Sequence, residues 1–247
     1  MSTDRFHRLE LLVGSAGRAR LAAASVAVFG LGGVGSYAAE ALVRGGVGRL
    51  TLIDFDTIDI TNLNRQVHAV EATIGRPKAL VMAERCRTIH PQVQVEPVQD
   101  FFGADSAEEL LGRGYDFVLD CIDQVTAKLL LLEECRKRGL PVIASMGAAN
   151  KIDPTRILVA DIADTTKCRL ARIMRKELRR RGIDAGIPVV YSTEEFRPLI
   201  DGRSAETEVD HYQQRRAPLG SSSVIPPLFG LTMAGEVLRR LITEIPA

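Results

Sequence analysis

Short apolar runs alternate along most of this chain with longer segments whose apolar residues recur every three or four positions. The first kind predicts buried strands and the second amphipathic helices. Residues 5–23 predict a helix with Leu9, Leu12 and Val13 on one side. The run 25–29 (Ser-Val-Ala-Val-Phe) predicts a buried strand that ends at Gly30. Residues 33–46 predict the following helix, closed by Gly45-Gly46, which suits a helix C-terminus. A second strand follows at 49–53, a helix at 77–90 and an alternating edge strand at 93–98. Then come a third buried strand at 115–119, a helix at 124–138 that stops at Gly139, and a strand at 141–145. Strands that alternate with helices predict an α/β class: a doubly wound, mostly parallel, Rossmann-like sheet with helices on both faces. A ligand belongs at the carboxyl ends of such strands.

After about residue 150 the alternation weakens. Residues 156–160 and 189–192 read as two extra strands, and a basic helix lies between them over about 165–181. Residues 201–222 are polar and without period, which marks a functional loop or a disordered segment. A closing helix is expected over 228–242, with Leu231, Ala234, Val237, Leu238 and Leu241 on its apolar face. The expectation is one domain over 1–247, with a core at about 5–150 and a substrate-facing part at about 151–247.

Charge narrows the partners. Lys and Arg total 32 against 31 Asp and Glu, so bulk charge cannot drive nucleic-acid binding, and any RNA contact must come from a local basic patch. Cys86, Cys121, Cys135 and Cys168 form no C-x-x-C pair, which argues against an all-cysteine zinc site. Nothing in their spacing suggests a disulfide framework, which fits a reducing cytosol. The first eight residues lack the apolar core of a signal peptide, and the run near Ser25–Phe29 is too short to span a bilayer. A soluble, cytoplasmic protein without a transmembrane segment is expected. His7, His68, His90 and His211 show no metal spacing.

The chemistry begins at Gly30-Leu31-Gly32-Gly33-Val34-Gly35, a G-x-G-x-x-G element between a predicted strand and helix. Gly30 suits a tight turn, Gly32 a close approach of phosphate to the backbone, and Gly35 close packing of helix on strand. The helix N-terminus adds free N–H groups and partial positive charge. Asp54 follows Gly35 by 19 residues, where a carboxylate would hold ribose hydroxyls. A nicotinamide enzyme would share all of this, and Asp56 reads equally as site or surface. Arg65 and Lys78 separate the readings. A diphosphate is already served by the glycine loop, whereas further cations suit a triphosphate whose leaving pyrophosphate gains charge. Asn62 and Gln66 would add neutral donors. Asp120 and Asp123 follow the third buried strand; carboxylates there suit magnesium on ATP phosphates, with Asp123 the favoured ligand and Asp120 in support. Asp120 is also placed to cap the next helix.

Taken together, Gly30–Gly35, Asp54-Phe55-Asp56, Asn62-x-x-Arg65-Gln66, Lys78 and Asp120-x-x-Asp123 resemble the E1-like (ThiF/MoeB/HesA-type) activating superfamily, whose members adenylate carboxylates with ATP. Arg5-Phe6-His7-Arg8 also matches, and the resemblance implies a homodimer in which Arg8 reaches the partner's ATP. It further implies the E1 adenylation fold. Asp153-Pro154-Thr155, the run Leu170–Arg179 and Val224-Ile225-Pro226-Pro227-Leu228-Phe229-Gly230 narrow the likeness to the tRNA threonylcarbamoyladenosine dehydratases. That branch implies ATP-dependent cyclisation of N6-threonylcarbamoyladenosine at position 37 of tRNA. The threonyl carboxylate is adenylated, and the ureido group of the same nucleoside then closes a ring, an intramolecular attack of high effective molarity.

On this reading the basic helix is the RNA contact, through Arg169, Arg172, Lys176 and Arg179, with Arg180 beside them; the ordinary alternative is a solvated helix face. Arg215 and Arg216 would extend the patch, and Tyr212 would stack on an unpaired base. E1-like enzymes can carry a catalytic cysteine near Cys168, but a small, partly buried residue at a helix start is the favoured reading, and the other cysteines read as packing residues. The competing function is an E1-like adenylyltransferase acting on the C-terminus of a small ubiquitin-like sulfur carrier. Still open at this point are a monovalent cation ordering the C-terminal loop and a sulfur-relay protein partner.

Overall fold

In a computed structural model that describes residues 4–198, 200 and 219–243, the alternation becomes seven strands and seven α-helices. The strands are β1 (Ser25–Phe29), β2 (Arg49–Ile53), β3 (Gln94–Val98), β4 (Phe117–Asp120), β5 (Val142–Ser145), β6 (Ile157–Asp161) and β7 (Pro188–Ser192). The helices are α1 (His7–Ala23), α2 (Gly35–Arg44), α3 (Lys78–Ile89), α4 (Ala107–Leu111), α5 (Val125–Arg138), α6 (Arg169–Arg179) and α7 (Ile225–Ile242). One sheet has the order β3-β2-β1-β4-β5-β7-β6. All neighbours are parallel except β6, which pairs antiparallel with β7 at the edge.

Successive strand residues point to opposite faces, and the core divides accordingly. Val26, Val28, Phe117 and Leu119 face a layer with α2, α3 and α7. Ala27, Phe29 and Val118 face a second layer with α4, α5 and α6. The order reverses between β1 and β4, so the carboxyl ends of these two strands form the crevice where open α/β sheets bind ligands.

Three expectations change. Leu12 is 82% exposed and does not join Leu9 against the core. Gly14, at φ 73 and ψ 169, breaks the helical register, so the turns on either side of it present different faces. The closing helix starts three residues early, at Ile225, because Pro226 and Pro227 occupy its first turn, where their missing N–H groups cost nothing. Its buried face uses Ile225, Phe229, Met233, Ala234 and Val237, whereas Leu231 is exposed. Helix α4 has only five residues, too few to show a period. No described helix is long and apolar enough to cross a membrane.

Candidate nucleotide site

Each glycine of the loop has a separate cause. Gly30 sits at φ 87, and a Cβ there would lie 2.9 Å from the Cys121 carbonyl oxygen. A Cβ on Gly35 would lie 1.8 Å from the Gly30 carbonyl oxygen, so only glycine lets α2 start this close to β1. A Cβ on Gly32 would meet nothing within 4 Å, so this backbone faces open space that a phosphate can fill. The C-terminal helix is keyed to the same element, since a Cβ on Gly230 would stand 2.1 Å from the Val34 carbonyl oxygen.

Asp54 pins the loop. Its Oδ2 accepts from the Leu31 N–H at 2.6 Å and its Oδ1 from the Asp56 N–H at 2.9 Å. It is 8% exposed, and burial pushes its carboxyl pKa up against the opposing pull of Lys78. Asp56 pairs with buried Lys78 at 2.7 Å from Nζ, and both border the same cavity. The Arg65 stem packs over Gly33, and its Nη1 donates to the Thr61 carbonyl at 2.8 Å and to Asn64 Oδ1 at 2.9 Å. Buried Asn62 accepts from the Asp59 N–H at 3.1 Å and closes a one-turn 3-10 helix. Gln66 Oε1 is buried with no hydrogen-bond partner among the described residues.

These groups line one cavity of about 810 Å³ above the crevice. Gly30, Gly32, Gly33, Asp54, Asp56, Asn62, Arg65, Gln66, Lys78 and Asp123 all border it. Gly35 lies just below, and Arg8 is exposed on α1, outside the cavity lining of its own chain. Asp120 is a correction. It is fully buried, pairs with fully buried Lys128 at 2.7 Å, and does not line the cavity with Asp123. It does not cap α5 either: the cap position is Gln124, and Asp120 Oδ1 instead accepts from the Ile122 N–H at 3.1 Å. A carboxylate at the end of a strand whose burial pattern is unbroken points inward, and Lys128 neutralises it there.

The far side of the cavity was not read from sequence as a wall. Lys151, Lys167, Arg169, Phe196, Leu219, Ser221 and Pro226 border it. Lys167 sits at φ 57 with Nζ 3.2 Å from Glu195, and the Arg169 guanidinium stacks 4.4 Å from the Phe196 ring centroid. Loops supply most of these residues, and loops carry no period; the signals in the sequence were the basic character of the segment and the Val224–Gly230 motif that holds Pro226. Asn150, at φ 56, ties the far wall together: its side chain accepts from the Gly220 N–H at 2.9 Å and donates to the Arg197 carbonyl at 2.7 Å.

Cys168 is buried at the cap position of α6 and borders the cavity. Burial pushes the Cys86 and Cys135 thiols up to about 12, as expected of packing residues. On α6, Arg172 and Lys176 are exposed with no ion-pair partner among the described residues, while Arg179 stands 3.9 Å from Asp184 and Arg180 pairs with Glu177 at 2.8 Å. Arg215, Arg216 and Tyr212 lie outside the described residues. No group of three or more His, Cys, Asp or Glu among the described residues is arranged to hold a metal by itself. A magnesium ion here would draw most of its ligands from phosphate and water, its usual manner, so Asp123 at the cavity edge fits it.

Residues 6–246 match the model of the ThiF family. The chain belongs to the ThiF family. This ThiF-family chain is 42% identical over 245 residues to the tRNA threonylcarbamoyladenosine dehydratase of Bacillus subtilis, a match covering 98% of this chain and 96% of that protein. It is similar, with a TM-score of 0.85 and 35% identity, to the structure of Escherichia coli tRNA N6-threonylcarbamoyladenosine dehydratase in complex with ATP, over 96% of this chain and 93% of that one. Likeness to the sulfur carrier protein adenylyltransferase of Thermus thermophilus is 37% over 152 residues, 61% of this chain and 55% of that protein.

Proposed function

We propose that this ThiF-family protein is an ATP-dependent tRNA threonylcarbamoyladenosine dehydratase. The observation that carries the reading is its end-to-end likeness to a dehydratase, which extends through the C-terminal residues that complete the cavity. The sulfur-carrier adenylyltransferase shares a shorter stretch, which favours the dehydratase over activation of a small carrier protein.

The cavity supports the following roles. ATP lies across the crevice, with its ribose at Asp54 and its phosphates over Gly32 and Gly33. Asn62 and Gln66 donate to the nucleotide, and the unpartnered Gln66 oxygen is ready to accept a bond. Arg65 and Lys78 balance the charge that gathers on the pyrophosphate as it leaves. Arg8 from a second copy of the chain joins them, which makes the working form a homodimer. Asp123 would hold magnesium, which when bound neutralises phosphate charge. The threonyl carboxylate attacks the α-phosphate; one carboxylate–phosphorus bond forms and the bond to pyrophosphate breaks. A ureido heteroatom then attacks the acyl carbon, AMP departs, and the nucleoside has lost one water. Arg169, Arg172, Lys176 and Arg179 face the tRNA backbone, and the protein works where tRNA is, in the cytoplasm.

The test is mass spectrometry of nucleosides from threonylcarbamoyladenosine-containing tRNA after incubation with protein and magnesium-ATP. ATP-dependent loss of one water is expected. An unchanged nucleoside, from protein that still binds ATP, would direct attention to a carrier protein with a C-terminal carboxylate.

A further inference from the structure

Two sets of cations border the cavity, and they follow different strands. Arg65 and Lys78 belong to the segment after β2, whereas Lys151 follows β5. The order β2-β1-β4-β5 puts three inter-strand steps, about 14 Å at the usual strand spacing, between the ends of β2 and β5; Lys78, paired with Asp56 just past β2, stays on the first side, and Arg65 packs over the glycine loop at Gly33. One triphosphate on the glycine loop therefore uses the first set and leaves Lys151 across the crevice.

Lys151 is 6% exposed. Its Nζ donates to the Glu194 carbonyl oxygen, and no carboxylate of a described residue forms an ion pair with it. The Glu194 carboxylate is committed elsewhere: Oε2 accepts from the N–H groups of Ile152 at 2.9 Å and Asp153 at 2.8 Å, and Oε1 from Arg197 Nε at 2.9 Å. An ammonium has three donors, and among the described residues one of them meets an acceptor, the Glu194 carbonyl. Burial also pulls the lysine pKa down, against the weaker opposing pull of Cys168 and the Glu194 carboxylate. A buried cation bordering a ligand cavity, with donors to spare, is built to be completed by an anion that arrives with the ligand. Lys167 and Arg169 do not share this state, since both are exposed and one is paired with Glu195, the other stacked on Phe196.

Resting on the dehydratase reading above, we infer that Lys151 is the receptor for the threonyl carboxylate of the modified adenosine. One carboxylate oxygen binds Lys151 while the other attacks the α-phosphate and displaces pyrophosphate. In ring closure the bound oxygen is the acyl carbonyl, and Lys151 stabilises the negative charge it takes when the ureido heteroatom adds. The acyl–phosphate bond then breaks, AMP leaves with the bonding electrons, and the ureido proton passes to water.

The experiment compares wild type, Lys151→Met and Lys151→Arg with threonylcarbamoyladenosine-containing tRNA and magnesium-ATP. It also measures the thermal shift given by ATP alone and inhibition by the free nucleoside against its carboxamide analogue. For Lys151→Met, kcat/KM is expected to fall about 100-fold, the scale of losing one donor to a developing oxyanion. Its ATP shift stays at the wild-type value, and it loses the preference for carboxylate over carboxamide, which a merely structural role would leave intact. Lys151→Arg keeps part of that preference. If the methionine variant does not fold, Lys151→Gln retains a donor for the Glu194 carbonyl and takes its place. A kcat/KM within about threefold of wild type, or an unchanged carboxylate preference, overturns the inference alone. Loss of the ATP shift in every folded Lys151 variant overturns it too, by assigning the residue to the nucleotide. Wild type that removes no water overturns the dehydratase reading, and the inference falls with it.

Discussion

Lys128, behind the nucleotide side of the cavity, and Lys151, across the crevice, are both almost inaccessible to water, yet they are satisfied differently. Lys128 is 0% exposed and meets Asp120 at 2.7 Å, so its charge is neutralised within the fold. Lys151 is 6% exposed and meets a backbone carbonyl. The first arrangement serves position: Asp120 also accepts from the Ile122 N–H and so fixes the turn that packs on Gly30 and carries Asp123. The second leaves a charge available. The difference teaches that burial of a cation alone does not mark a binding group; Lys151 is proposed as one because it is buried in a cavity wall without a carboxylate in direct contact.

The sharpest way to break this comparison is Lys128→Met. It strands the Asp120 carboxylate in the core and should cost about 3–5 kcal/mol of stability in urea unfolding, most of it recovered in the double variant with Asp120→Leu. A cost below about 1 kcal/mol would mean that the pair does not hold the turn.

His68 sharpens the nucleotide side next. It is 3% exposed, neither ring nitrogen has a hydrogen-bond partner among the described residues, and burial, with Lys78 and Arg85 nearby, lowers its pKa to about 4. The unfolded histidine takes up a proton below about pH 6.5, the folded one only near 4, so between them the unfolded chain binds more protons and stability falls as the pH falls. The loss should approach about 3 kcal/mol by pH 4. His68→Leu should flatten that part of the stability–pH curve in denaturant titrations.

The smallest effect belongs to the far side. Arg172→Gln with Lys176→Gln removes two exposed charges without ion-pair partners among the described residues. Stability should move by less than about 1 kcal/mol. The slope of log affinity for tRNA against log salt should become shallower by about 1 to 2. An unchanged slope would return the helix face to solvent.

The parallel sheet was legible because β1, β2, β4 and β5 are short apolar runs cut off by glycine or charge, and because the loop Gly30–Gly35 fixes where the first crossover turns. The nucleotide side was legible for the same reason: its residues follow strand ends in chain order. Asp120 misled because sequence spacing places it beside Asp123, whereas pleating turns it into the core toward Lys128. Lys151 was invisible, since its meaning depends on where the Glu194 carboxylate points, more than forty residues away. Leu12 failed at Gly14, where a single positive φ resets the helical face.

The contact of Gly230 with the Val34 carbonyl has a consequence for how the molecule is made. The glycine loop leaves the ribosome early, but the helix that braces it and the proline that borders its cavity are synthesised much later. Contacts so distant in sequence form late and slowly. A chain caught before α7 emerges carries the glycine loop but not the complete cavity beside it. Nucleotide affinity is thus expected to report that α7 has been made and has docked, as well as that the loop has folded.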